Sequence, residues 1–250
     1  MTTRTQIWSS GGGVQSTAIA VLILTEKLPR PDLALIVDTT RERSTTWDYM
    51  NRYTAPALEA AGVTLERISA SDYASTEIFE GVKQRLLLPA FTAGTSERGG
   101  KLTNQCSTRW KRRVAMRWAR ARGVQRAECW IGISTDEMTR RRLSDLKWWV
   151  HRWPLIELGL NRSDCYGVIR RYGWPQPPKS SCWMCPHMRP EEWRGLSADD
   201  WQAALALDQE MRETKCNAYL TSDMMPLAEI NFDDANYQLP LECDSGLCWV

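Results

Sequence analysis

Along the first two thirds of the chain, apolar positions gather into short runs separated by longer segments of helical period. Arg4–Ser10 (RTQIWSS) reads as a strand, and three glycines then lead into a helix from Ser16 through the apolar stretch AIAVLILTEKL. The pattern repeats, with DLALIVDT (Asp32–Thr39) as a strand, a helix over Thr46–Ala61 and a strand at TLERISA (Thr64–Ala70). A basic helix over Thr108–Arg122 precedes a further strand, AECWIGIS (Ala127–Ser134). Strands joined by helical crossovers build a parallel sheet with helices on both faces, so the expected class is α/β with a doubly wound sheet. Ligands of such sheets sit at the carboxyl ends of the strands.

The segment Leu88–Thr103 is rich in Gly, Ser and Thr and reads as a loop able to act as a lid. Beyond Trp149 the texture changes to Pro, Trp and Cys, with a helix around Asp199–Lys215. This divides the chain into an α/β domain over residues 1–150 and a Cys/Trp-rich, partly helical extension over 151–250 packed on the same core. No apolar run approaches the roughly 20 residues that cross a bilayer, and MTTRTQ lacks a signal-peptide core, so a cytoplasmic protein with no membrane partner is expected.

The formal net charge of +2 conceals an asymmetry, because Lys101–Arg126 carries nine Lys and Arg residues and no acid. Such a face meets phosphates of a nucleotide or nucleic acid, or is a solvated helix face balanced by acids elsewhere.

Candidate chemistry begins at SSGGGVQSTA, Ser9–Ala18. Consecutive glycines let backbone N–H groups crowd together, Ser16 and Thr17 extend the donor array, and the helix start that follows favours an anion. A tight turn without a ligand explains a glycine run alone equally well. Asp38, at the end of the second strand, is placed either to touch the ribose or adenine of a nucleotide or to cap the next helix. The turn fits neither the Walker pattern nor the dinucleotide fingerprint.

GGVQST resembles the pyrophosphate-binding loop of the PP-loop ATP-pyrophosphatases, Ser-Gly-Gly-x-Asp-Ser, and VDTTRE resembles the Asp-Thr-Gly-x-Glu segment of their phosphoadenosine-phosphosulfate reductase branch. Gly12, Gly13, Ser16 and Thr17 match the loop. Gly11, preceded by Ser10, stands where Ser is usual, and Gln15 stands where Asp is usual, so Gln15→Asp is expected to raise pyrophosphatase activity if the loop is merely weakened. NQCSTRWK (Cys106, Lys111), GISTDEMTRR (Gly132, Glu137, Arg140) and WPLIEL resemble further segments of that branch in the same order. The resemblance implies a Rossmann-like, HUP-type sheet, ATP with Mg2+ as ligand, and Lys111 or Arg140 as the cation that stabilises departing pyrophosphate.

Eight cysteines in a reducing compartment point to metal ligands, redox groups or buried thiols. Cys182-x-x-Cys185 has the spacing of zinc and iron–sulfur sites alike, and a redox dithiol is the other reading. In the reductase branch and its nucleic-acid-thiolating relatives, a cysteine before the basic helix and a later pair hold a 4Fe-4S cluster, which implies Cys106 as third ligand. Cys165 is taken as the fourth because it precedes the pair and lies outside any apolar strand; His187 is its alternative. Cys129 reads as a core residue and Cys216 stays unassigned. Trp148, Trp149, Trp153, Trp174, Trp183 and Trp193 read as packing around a small cluster domain. The tail ECDSGLCWV brings Cys243 and Cys248, and Glu242-Cys243 resembles the Glu-Cys-Gly segment that carries the reductase nucleophile.

Three functions follow. The first is ATP-dependent sulfur transfer, in which a nucleic-acid or nucleotide acceptor is adenylated and sulfur from a donor displaces AMP. The second is phosphosulfate reduction through Cys243 with a thioredoxin-like partner. The third is a non-catalytic nucleotide or nucleic-acid binding module.

Overall fold

The computed structural model describes residues 3–80, 85–92, 100–102, 106–214, 217–234 and 237. In chain order its elements begin β1 (Thr5–Ser10), α1 (Val14–Leu24), β2 (Leu33–Asp38), α2 (Ser44–Tyr49), α3 (Ala55–Ala60) and β3 (Leu65–Ser69). Four two-residue strands follow, β4 (Phe79–Glu80), β5 (Arg85–Leu86), β6 (Phe91–Thr92) and β7 (Gly100–Lys101), then α4 (Arg113–Ala121) and β8 (Ala127–Ile131). The remainder comprises β9 (Trp149–Arg152), α5 (Pro154–Glu157), α6 (Arg162–Arg171), α7 (Pro190–Arg194), α8 (Ala198–Glu213) and β10 (Ala218–Tyr219).

Five strands form one parallel sheet in the order β3-β2-β1-β8-β9. The fold is therefore an α/β Rossmann-like sheet flanked by helices. The chain moves outward from β1 through β2 to β3, then returns to the other side of β1 as β8 and β9. That reversal opens a crevice outside the carboxyl ends of β1 and β8, where the glycine turn lies. The sheet continues past residue 150, since β9 spans Trp149–Arg152.

Alternation along the strands sets the two faces. Trp8 and Trp130 point to one side, where they pack with α1, Leu58 of α3, Leu155 of α5 and Cys165, Val168 and Ile169 of α6. Residues Val14 to Ile23 of α1 are all buried, which is why this helix shows a continuous apolar run rather than an amphipathic stripe. Ile7, Leu35, Val37 and Cys129 point to the other side, against Val114, Ala115, Trp118 and Ala119 of α4. A third core joins Leu86–Leu88, Trp110, Met184, Met188 and Trp193 to Ala204, Leu207 and Met211 of α8.

The helix expected over Thr46–Ala61 is α2 and α3 joined by a π-helical turn over Met50–Thr54, with Pro56 in the first turn of α3. The basic helix likewise opens with a π turn, Thr108–Arg112, ahead of α4. Helix α6 starts at a capping box, with the Asn161 side chain accepting from the Asp164 N–H and Asp164 accepting from the Asn161 N–H. Among the described residues no helix is long and apolar enough to cross a membrane.

Candidate functional site

The turn between β1 and α1 is closed by its own side chains. Ser10 Oγ accepts from the Gly12 N–H at 3.2 Å, and Ser16 Oγ reaches back to accept from the Gly11 N–H at 2.8 Å. Gly12 has φ +71°, and a Cβ there would lie 2.7 Å from Cγ2 of Thr46. Gly12→Ala should therefore lower stability by about 1–3 kcal/mol, read by urea unfolding, and Gly12→Ala with Thr46→Ser should recover only the steric part of the loss. A Cβ on Gly13 would lie 2.6 Å from Ser180 Oγ, so the turn touches the segment that leads to Cys182.

Helix α1 has no side-chain N-cap and no acid in its first turn. Its leading amides retain the partial positive charge of a helix N-terminus, about half an elementary charge. They face a cavity of about 550 Å³ lined by Ser9, Ser10, Gly11, Gly13 and Val14 to Ser16, with Ile36 and Val37 of β2 and Ile131 to Ile133 opposite. Seven Lys and Arg side chains line it, Lys111, Arg112, Arg140, Arg142, Arg162, Lys179 and Arg189, against the three carboxylates Glu42, Glu137 and Glu192. That balance suits a polyanion. Arg140 pairs with Glu137 at 2.8 Å, and Gln15 Nε2 donates to the other Glu137 oxygen at 2.9 Å.

A smaller pocket of about 80 Å³ adjoins this cavity and is lined by Cys106, Cys182 and Cys185. Lys111, Lys179, Ser180, His187 and Glu192 border both spaces. The thiol pocket is held against the Arg41–Arg43 segment that follows β2 by backbone pairing, since the Arg43 N–H donates to Ser181 O at 3.1 Å and the Trp183 N–H to Arg41 O at 2.9 Å. Between the two spaces, Glu42 Oε1 meets Lys111 Nζ at 2.6 Å and accepts from Cys182 Sγ at 3.9 Å.

Burial pushes the Cys106 thiol up to about 11, with Cys185 adding to the shift and Lys111 opposing it. Burial raises Cys182 well above its ordinary value, helped by Glu42 and opposed by Lys111. For Lys111 burial favours the neutral amine, but Glu42, Cys182 and Cys106 together outweigh it, and the net shift is upward. The lysine stays protonated. It is the cation that would make thiolates affordable in this apolar wall.

Several expected site residues lie elsewhere. Asp38 does not line the cavity; its carboxylate accepts from the Thr40 N–H at 2.7 Å and pairs with Arg67 at 2.7 Å, which fixes the turn after β2, where Thr40 has φ +62°. Thr17 is buried on α1 rather than in the cavity, and Gly12 packs on Ile36 and Thr46. Cys165 sits fully buried on α6 in the core shared with α1, not with the other three cysteines. Burial first, then Asp136 and Asp164, raise its thiol to about 12. Cys129 is a core residue beneath α4, with its thiol raised to about 12 by burial. Cys216, Cys243 and Cys248 lie outside the described residues.

Part of the basic stretch is paired with acids or stacked on aromatic rings. Arg112 pairs with Asp145 at 3.1 Å, Arg122 pairs with Glu66, and Arg120 stacks over Trp148 at 3.6 Å. Trp193 is a core residue, and Trp149, though buried, lines the cavity together with His151 and Trp153. Ser180 and Arg162 are site residues the sequence did not single out, whereas Glu42 closes the VDTTRE segment that resembles Asp-Thr-Gly-x-Glu. Glu42 had a signal, an acid just beyond a parallel strand, but Arg162 and Ser180 arrive by long-range packing that no local pattern marks.

Among the described residues no three His, Cys, Asp or Glu side chains are grouped so as to hold a single metal ion. No family model matches the sequence, and no curated protein matches it. The chain is similar to several solved structures, among them a thiolase and a reductase. The U34-tRNA thiolase NcsA from Methanococcus maripaludis, with its 4Fe-4S cluster, is 12% identical with a TM-score of 0.45 over 85% of this chain, which spans 66% of the thiolase's length. The phosphoadenylyl-sulfate reductase from Candida auris, in a phosphate complex, is 12% identical with a TM-score of 0.44 over 73% of this chain and 83% of that one.

Proposed function

We propose that the chain is a PP-loop-type enzyme that uses ATP to activate an acceptor oxygen and then replaces that oxygen with sulfur. The observation that carries this reading is the common wall: an anion cavity at an uncapped helix start and a three-thiol pocket both border Lys111 and Ser180. The β- and γ-phosphates of ATP would lie against the glycine turn and the first amides of α1, with Arg140 and Lys111 meeting the charge that develops as pyrophosphate departs. The acceptor oxygen attacks the α-phosphorus, the bond to pyrophosphate breaks, and the adenylated oxygen becomes a leaving group. Sulfur then attacks the activated carbon and AMP leaves with the oxygen. The excess of cations in the cavity supports a nucleotide or nucleic-acid acceptor, with Mg2+ accompanying the ATP.

Cys106, Cys182 and Cys185 fit an iron–sulfur centre by donor chemistry, being three soft ligands in one apolar pocket. Zinc takes the same thiolate donors, and the iron content of the purified protein distinguishes the two. When bound, such a centre supplies an iron site able to hold sulfur for transfer. Cys165 is not needed for it.

The test is turnover by anaerobically purified protein given ATP, sulfide and bulk transfer RNA or DNA. Pyrophosphate release that depends on the nucleic acid supports the proposal. Sulfite released from adenylyl sulfate instead would support the reductase reading, and tight nucleic-acid binding without either product a binding module.

A further inference from the structure

Gln15 is buried at the start of α1, and each end of its amide faces a different partner. Nε2 donates to Glu137 Oε2 at 2.9 Å and lies 3.4 Å from Ser134 Oγ, while Oε1 accepts from Arg162 Nη1 at 3.3 Å. Only this orientation of the amide satisfies a carboxylate on one side and a guanidinium on the other. Glu137 is in turn paired with Arg140 at 2.8 Å and lies 3.9 Å from Arg162. Gln15 has little room to move, because a Cβ on Gly132 would already sit 3.2 Å from Gln15 Cβ and from the Ser16 nitrogen.

A carboxylate in place of the Gln15 amide, as in the isosteric Gln15→Glu, would face the Glu137 carboxylate at hydrogen-bond distance, and the shorter Gln15→Asp would set the same charge one methylene farther back beside the same cavity. Two carboxylates that close cannot both ionise without a large cost. The expectation that Gln15→Asp strengthens the loop is thus opposed by the geometry.

We infer that Gln15 is a positioning residue: with Glu137 it forms a pair that carries one carboxylate between two positions, and this pair aims Arg140 and Arg162 at the polyphosphate. The inference rests on the reading that a polyphosphate enters this cavity. It deepens that reading by assigning work to the residue that departs from the loop pattern.

The test is calorimetric binding of ATP and of inorganic pyrophosphate to the full chain. Gln15→Glu should weaken both by at least about 10-fold, Gln15→Ala by about 3-fold, and Gln15→Glu combined with Glu137→Gln should recover most of the loss. Equal losses in the Glu and Ala variants, or a double variant as weak as Gln15→Glu, would overturn the inference. Absence of binding by the unaltered chain would instead overturn the functional reading. The pairing is then read from thermal unfolding of the same variants, where Gln15→Glu should lower Tm by about 2–4 °C and the double variant should regain it.

Discussion

Lys111→Met should destabilise the protein by about 3–5 kcal/mol, because it strands a carboxylate in the wall between the two pockets. Glu42 is only 3% exposed at its side chain, its Oε1 lies 2.6 Å from Lys111, and its Oε2 has no hydrogen-bond partner among the described residues. With the ammonium gone, Glu42 retains only weak contacts to Thr39 and Cys182. For a chain of this size the loss corresponds to a fall in Tm of roughly 6–20 °C. Adding Glu42→Gln should return most of the stability, since the cost lies in the unpaired charge rather than in the absence of the pair. Activity should not return with it. If Lys111 stabilises departing pyrophosphate, both variants should release pyrophosphate about 100–1,000-fold more slowly than the unaltered chain. Calorimetric unfolding and a pyrophosphate assay on the two variants separate these effects.

Replacing Cys106, Cys182 or Cys185 singly with Ser should abolish the broad absorption near 400 nm that an iron–sulfur centre confers, and should reduce bound iron to a trace. Cys165→Ser should leave both unchanged. That substitution puts a hydroxyl into the apolar contact between α6 and α1, where an unpartnered polar group costs about 1–3 kcal/mol, so it should show as lowered stability alone. Iron analysis and an absorption spectrum of the four variants, beside their unfolding curves, make the comparison. Retention of the full iron content by Cys106→Ser would remove the iron–sulfur assignment, and loss of iron in Cys165→Ser would restore Cys165 to the ligand set.

The strands and crossovers were legible because they depend on local periodicity. Ile7 and Trp8, Leu35 and Ala34, and Cys129 and Trp130 alternate between the two faces of the sheet as a period of two requires. The glycine turn was legible because positive φ at residue 12 demands that residue type. The edge strand β9 was not, since WVHR is short and polar, and its place follows from pairing with β8. Asp38 misleads because an acid at the end of a parallel strand serves a ligand or a turn with the same local sequence. Here Arg67 of β3, its neighbour across the sheet, takes the carboxylate. Cys165 misleads in a similar way: its polar flanks, Asp164 and Tyr166, conceal a position that points into the α1 core.

The contact between Gly13 and Ser180 ties the fate of one pocket to the other. No side chain fits between them, and the stretch from Lys179 to Cys182 gives Lys179 and Ser180 to the rim of the larger cavity and all four residues to the wall of the thiol pocket. If the chain works as proposed, anything that unseats this strip, such as oxidation of the thiols, would open the larger cavity on that side and let solvent reach the helix amides. Air damage to such a protein would surface first as poor nucleotide retention, well before the sheet itself melts.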